Sequence, residues 1–321
     1  MLVVRRAALA LLAVTALAGP GMAQDKVTVA VTAIVEHPAL DAARDGIKAA
    51  LAEAGYVDGQ NLTFVYESAQ GNPTTAAQIA RKLVGEAPAV IVPISTPSAQ
   101  AVVGATRDIP VVFTAVTDPV GAKLVRDPMH PGGNVTGMSD LSPIGKHLDL
   151  VKEVVPTAAK LGVIYNPGEA NSLTLLELLK REAPARGLTI VEAPAPKSAD
   201  VLAAAQSLVG KVDALYVPTD NTVVTALEAI VKVGEQNQLP VLAGDTDSVP
   251  RGAIAALGFN YGDVGRQTGR IVVRVLKGEQ PGAIPVEGVE ITELFVNPKA
   301  AQAMGVTLPA ELVARAKTVV Q

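Results

Sequence analysis

The sequence predicts an α/β protein of two Rossmann-like lobes with parallel sheets, and three observations lead there. Short apolar, β-branched runs alternate with stretches whose apolar residues recur at helical spacing, the pattern of parallel strands joined by right-handed crossovers. The alternation runs through twice, with a helix predicted over 143–155 between the passes, and 321 residues let each pass bury a core of its own. Small polar and acidic residues follow the strands at their carboxyl ends, the edge where open α/β sheets take ligands.

Each element has its own signal. Residues 27–34 form an uncharged apolar and β-branched run, as expected of a strand buried on both faces. Pro38 suits a first helical position, and Leu40, Ala43, Ile47, Ala50, Leu51 and Ala54 keep helical spacing until Gly55 stops the helix. Strands are predicted at 62–66, 89–94 and 109–114 and helices at 74–84 and 95–106, and a short strand at 134–137 ends the first pass. The second pass gives strands at 160–165, 188–192, 213–217, 239–243 and 253–257, with helices near 173–180, 199–208 and 222–234. A helix at 264–276 and a strand at 289–296 come late. They are expected to add to the two sheets, with the chain crossing between lobes more than once.

Composition narrows the class. Apolar residues make up 49% of the chain, which excludes a disordered one. At the N-terminus Arg5 and Arg6 precede an apolar run broken only by Thr15, and Gly21-Met22-Ala23 offers small residues to a signal peptidase. A cleavable signal peptide over 1–23 is therefore expected, since the run is too short to span a bilayer. With no cysteine there is neither a disulfide nor a lipid-attachment site, so a soluble, non-lipidated periplasmic protein is expected. Loss of Arg5 and Arg6 takes the formal charge from -4 to -6, and the remaining basic residues are scattered, which argues against nucleic acid.

The loops at strand carboxyl ends hold the candidate site. They are Glu36-His37, Ser95-Thr96-Pro97-Ser98 and Thr117-Asp118 in the first pass, and 166–172, Thr219-Asp220-Asn221 and Asp245-Thr246-Asp247 in the second. In 166–172, Pro167 and Gly168 end a strand while Asn171 or Ser172 can cap the helix that follows. Any one loop reads equally well as a helix cap; six on the same edge of two sheets fit one cleft. Catalytic arrangements are poor. No Gly-x-Ser-x-Gly elbow occurs, no Gly-rich phosphate loop follows the first strand, and three scattered histidines are too few for a metal site. No cofactor is expected. Tyr165, Tyr216, Phe259 and Tyr261 fall near strand ends, where they fill core space or enclose a flat part of a ligand.

At these residues the chain resembles a known family. Thr117-Asp118-Pro119-Val120-Gly121, the stretch 131–137, the stretch 165–172, Pro218-Thr219-Asp220-Asn221, and the tail stretches 297–301 and 305–309 are similar, in order and spacing, to type I periplasmic substrate-binding proteins of ABC transporters. The branch is the one that includes tryptophan- and other aromatic amino-acid-binding proteins. The resemblance implies the type I periplasmic-binding-protein architecture, with lobe I at 24–138 and 260–283, lobe II at 139–259 and 284–321, and hinge crossings near 137–142, 258–261 and 283–286. It implies ligand contacts at Ser95, Thr96, Thr117, Asp118, Asn166, Glu169, Asn171, Ser172, Asp220, Asn221 and Asp245, with Glu36 and Tyr261 as further candidates. Hydroxyls and amides in that set can hold a carboxylate and its acidic members an ammonium; arginine is absent from these loops. The function implied is that of a monomeric, non-enzymatic solute receptor that binds a small amino acid or related carboxylate, aromatic ones included, and delivers it to an inner-membrane ABC permease. A ligand-sensing partner of a membrane receptor is the alternative that sequence leaves open. A secreted hydrolase ranks last for want of a nucleophile and base.

Overall fold

The protein is described from a computed structural model over residues 26–289 and 291–321; the signal peptide expected over 1–23 lies outside the described residues. In the first pass β1 (Val27–Ala33), β2 (Leu62–Ser68), β3 (Val90–Ile94), β4 (Val111–Val116) and β5 (Val135–Ser139) alternate with α1 (Pro38–Glu53), α2 (Pro73–Gly85) and α3 (Thr96–Ala105). The second pass opens with α4 (Ile144–Val154). It continues through β6 (Lys160–Tyr165), α5 (Ala170–Glu182), β7 (Thr189–Pro194), α6 (Val201–Leu208), β8 (Ala214–Val217), α7 (Asn221–Thr225), α8 (Leu227–Asn237), β9 (Val241–Ala243) and β10 (Ala255–Gly258). Then follow α9 (Tyr261–Leu276), β11 (Glu287–Gly288), β12 (Glu293–Val296), α10 (Pro298–Ala303), α11 (Ala310–Ala314) and β13 (Thr318–Val319).

The strands form two sheets, ordered β11-β5-β4-β3-β1-β2 and β13-β12-β10-β9-β8-β6-β7. Each pass therefore lays its strands down in the same order, second-first-third-fourth-fifth. The first sheet is parallel throughout, whereas in the second β12 runs antiparallel to β10. Each sheet has its own apolar core, and α9 returns to the first lobe, where Val264, Ile271 and Val272 join the core of β1, β3 and β4.

Two sequence expectations need correction. The strand foreseen at 289–296 is split: Glu287 and Gly288 pair with Met138 and Ser139 of the first sheet, and Glu293 to Val296 pair with β10 of the second. The third crossing consequently lies between β11 and β12 rather than at 283–286. Residues 284–288, assigned to lobe II, stay with the first lobe, with Ile284 buried in its core and its carbonyl accepting from the Thr136 hydroxyl at 2.8 Å. The helix foreseen at 222–234 is broken at Ala226, which leaves helical dihedrals at φ -109° and ψ 26°.

The contact of α1 with α9 has a steric basis. A Cβ on Gly265 would be driven into the Ala43 carbonyl and one on Gly46 into the Gly262 carbonyl, so the helix backbones meet with no side chain between them. Gly265→Ala should lower stability by about 1–3 kcal/mol through overpacking. A urea midpoint unchanged from wild type would show that the helices part freely.

Candidate functional site

The shared strand order creates one topological switch point per sheet, between β1 and β3 in the first lobe and between β6 and β8 in the second. Chains leaving two neighbouring strands to opposite faces open a crevice there. The crevices face each other across a small cavity, walled by the loops after β1, β3 and β4 on one side and after β8 and β9 on the other, with α5 contributing Asn171.

From the first lobe come His37, Ala39, Leu40, Ser95, Ala115 and Thr117. Ser95 precedes α3 with φ 75° and ψ 156°, a conformation costly for a residue with a Cβ, and its hydroxyl makes no capping bond. The pairing of β4 with β5 slips by one residue between Phe113 and Val116, and Ala115 within the slip has φ 52°. Such a bulge re-aims the residues after it, here Thr117. His37 is buried, its Nδ1 has no partner, and burial followed by the charge of Arg251 lowers its pKa to about 3, so the ring is neutral.

The second lobe supplies Asn171, Thr219, Asp220, Asn221, Val224 and Asp245. Asp220 is fully buried and accepts the Asn166 N–H at 2.6 Å, the Ser172 hydroxyl at 2.6 Å and the Val223 N–H at 2.9 Å, so one carboxylate ties the loop after β6, the start of α5 and the start of α7. Behind it Glu169 accepts from Asn166 Nδ2 at 3.3 Å, Asn171 Nδ2 at 3.2 Å, the Thr222 hydroxyl at 2.7 Å and Asn221 Nδ2. Neutral donors hold both acids. Burial, then the Glu169 charge, pushes the Asp220 carboxyl up to about 7. Asp245 accepts the Ser248 N–H and hydroxyl at 2.9 and 2.6 Å, and burial raises its pKa too.

Asp140 and Tyr261 close the floor from two of the crossings. The Tyr261 hydroxyl donates to Asp140 at 2.7 Å, and the Thr117 hydroxyl donates at 3.4 Å. Burial raises the Asp140 pKa, and burial with the Asp140 charge raises that of Tyr261 well above its ordinary value.

Of the residues singled out in the sequence, Ser95, Thr117, Asn171, Asp220, Asn221, Asp245 and Tyr261 line the cavity. The others do not. Asp118 accepts the N–H groups of Val120 and Gly121 at 3.1 and 2.8 Å and is used by its own turn. Asn166, Glu169 and Ser172 form the hydrogen-bonded backing of the wall, Thr96 is buried behind Ser95, and the exposed Glu36 accepts from Gln70 at 3.0 Å. Among the aromatics Tyr216 is core and bonds His147 Nδ1 at 2.6 Å, Tyr165 bonds Glu192 at 3.2 Å, and Phe259 fills the first-lobe core. Asp140 carried no sequence signal of its own, although its place just past the fifth strand could have suggested it. Among the described residues no group of acids and histidines could hold a metal ion, and no helix is long and apolar enough to cross a membrane.

A carboxyl whose pKa is raised on folding favours the folded state while protonated, and that contribution is lost as pH rises from the unfolded value through the folded one. Wild type should therefore lose on the order of 3–4 kcal/mol between about pH 4 and pH 7 from Asp220, with Asp140 and Asp245 acting in the same direction. Urea unfolding of the ligand-free protein should show a shallower slope for Asp220→Asn; parallel slopes would mean that Asp220 is ionised throughout.

Comparison with known proteins agrees with this geometry. A family model described as ABC transporter substrate binding protein matches residues 28–320. The chain is 43% identical over 269 residues, 84% of its length and 78% of the relative's, to a tyrosine-binding protein of Clostridioides difficile. It is 34% identical to an ABC domain from Streptococcus pneumonia solved in complex with L-Trp, at a TM-score of 0.89 over 92% of this chain and 100% of that one. A ligand-free, open substrate binding protein from Clostridium difficile is 39% identical, with coverage of 92% and 99%, yet its TM-score is only 0.69. The lower structural match to the more identical, open protein shows that the lobe arrangement here differs from that open one. With its two parallel-sheet lobes in the type I periplasmic-binding-protein fold, the chain belongs to the ABC transporter substrate binding protein family.

Proposed function

We propose that this protein is the periplasmic receptor of an ABC uptake system, that it binds an aromatic amino acid between its lobes, and that it delivers the closed, loaded form to an inner-membrane permease. The observation that carries the reading is the cavity wall itself. Three buried polar atoms on lining residues, His37 Nδ1, Asn171 Oδ1 and Thr219 Oγ1, have no partner within the protein, and they come from both lobes. Buried polar groups are rarely left so, and a ligand bonded to both lobes at once would satisfy them while favouring closure. Ala39, Leu40, Ala115, Val224 and the Tyr261 ring supply an apolar portion for a side chain. The tyrosine-binding relative and the L-Trp complex support an aromatic one.

The ligand contacts on this reading are Ser95, Thr117, Asn171, Asp220, Asn221, Asp245 and Tyr261, joined by His37, Thr219 and Asp140. No chemistry is performed on the ligand, no cofactor is used, and the receptor acts as a monomer exported by its cleaved N-terminal segment.

Tryptophan, tyrosine or phenylalanine should raise the melting temperature in a thermal-shift screen, as a ligand of the folded state does by mass action. In calorimetry with the best of them Asp220→Ala should bind at least about tenfold more weakly, and Asp118→Ala should stay within about twofold of wild type, because only the first carboxylate faces the cavity. Equal effects of the two substitutions would remove the cavity assignment. Far-ultraviolet circular dichroism guards against the case in which Asp220→Ala fails to fold.

A further inference from the structure

The charges around the cavity are one-sided. Asp140, Asp220 and Asp245 all line it, and they reach it from different parts of the chain: the first crossing, the loop after β8 and the loop after β9. Among the described residues no Lys or Arg lines it, and its one histidine is neutral. Arg251, whose charge is felt at His37 and Asp245, is held outside by Glu228 through contacts of 2.7 and 2.9 Å. The unpaired Asn171 Oδ1 accepts hydrogen bonds only, and the unpaired Thr219 hydroxyl can accept them. A carboxylate brought beside three buried acids finds no compensating cation, while an ammonium finds acceptors and favours the ionised form of the acids beside it.

We propose that the ammonium group is the pole this cavity recognises, so that an aromatic primary amine lacking a carboxylate binds far better than the aromatic acid lacking the amine. The inference deepens the aromatic amino-acid reading and rests on it. The carboxylate of the natural ligand is held by neutral donors alone, such as the Ser95 hydroxyl, and its removal forfeits ordinary hydrogen bonds rather than an ion pair.

Two compound sets, tyrosine with tyramine and 3-(4-hydroxyphenyl)propanoate, and tryptophan with tryptamine and indole-3-propanoate, test this by calorimetry on the mature chain at about pH 8, where the amines are charged. For the amino acid that binds, its amine should fall within about tenfold in Kd and its acid at least about a hundredfold behind. Asp140→Asn and Asp245→Asn should each narrow the amine-to-acid ratio by about tenfold. Both remove charge while leaving hydroxyl partners, those of Tyr261 and Thr117 or of Ser248, that can accept from the new amide. Should either variant fail to fold, the wild-type ratio still decides. An acid that binds as tightly as its amine, or an amino acid that binds while its amine does not, overturns this inference and leaves the receptor reading standing. Silence from both sets, parent amino acids included, overturns the aromatic reading and this inference together.

Discussion

The carboxylate of Asp220 is the point on which the second lobe's half of the site depends. It accepts from the loop after β6, from α5 and from the start of α7, and it still presents itself to the cavity. An acid placed there without a cation is costly, and the structure spreads that cost over neutral donors: three on Asp220, and the amides and hydroxyl of Asn166, Asn171, Asn221 and Thr222 on Glu169. The wall is thereby held in place by hydrogen bonds within the protein. Rigid placement of binding groups by a hydrogen-bonded backing is what limits the ordering cost of binding.

The first lobe prepares its half differently. It contributes no such acid network, and its preparation lies in the backbone: Ser95 held at φ 75° and Ala115 at φ 52°, both on the cavity surface. Conformations of that kind persist only where the surrounding packing overrides them, and β3 and β4, buried along their whole length, provide that packing. One lobe thus offers side-chain charge and the other offers hydroxyls aimed by backbone geometry, and both do so at the switch point of the same strand order.

Much of this was legible in the sequence because the signals are periodic. Buried parallel strands read as unbroken apolar runs, and the doubled strand-helix grammar gives two sheets. The third crossing was misplaced because a two-residue strand such as β11 has no period to read, and its pairing with Met138 and Ser139 is a long-range fact. The site divided along a chemical line. Caps and ligand contacts use the same residue types at the same strand ends, so Asp118 and Asp220 look alike in sequence although the first serves its own turn and the second a shared cavity. His37 stood out as a residue of the ligand edge without a role, and its orphaned Nδ1 is visible only once α1 is packed. Asp140 lies in a connection whose importance comes from Tyr261, 121 positions further along the chain.

That last pair has a mechanical consequence. Asp140 sits in the segment leaving the first lobe and Tyr261 at the end of the segment returning to it, and the 2.7 Å bond between them pins two of the three connectors side by side. Connectors fastened together at one point resist sliding past each other but still permit pivoting, so this bond opposes shear between the lobes at the cavity floor. The third connector, between β11 and β12, is tied at its start to the end of β5, where the Val289 N–H donates to the Ser139 carbonyl at 3.2 Å, so it too is anchored beside the first connector.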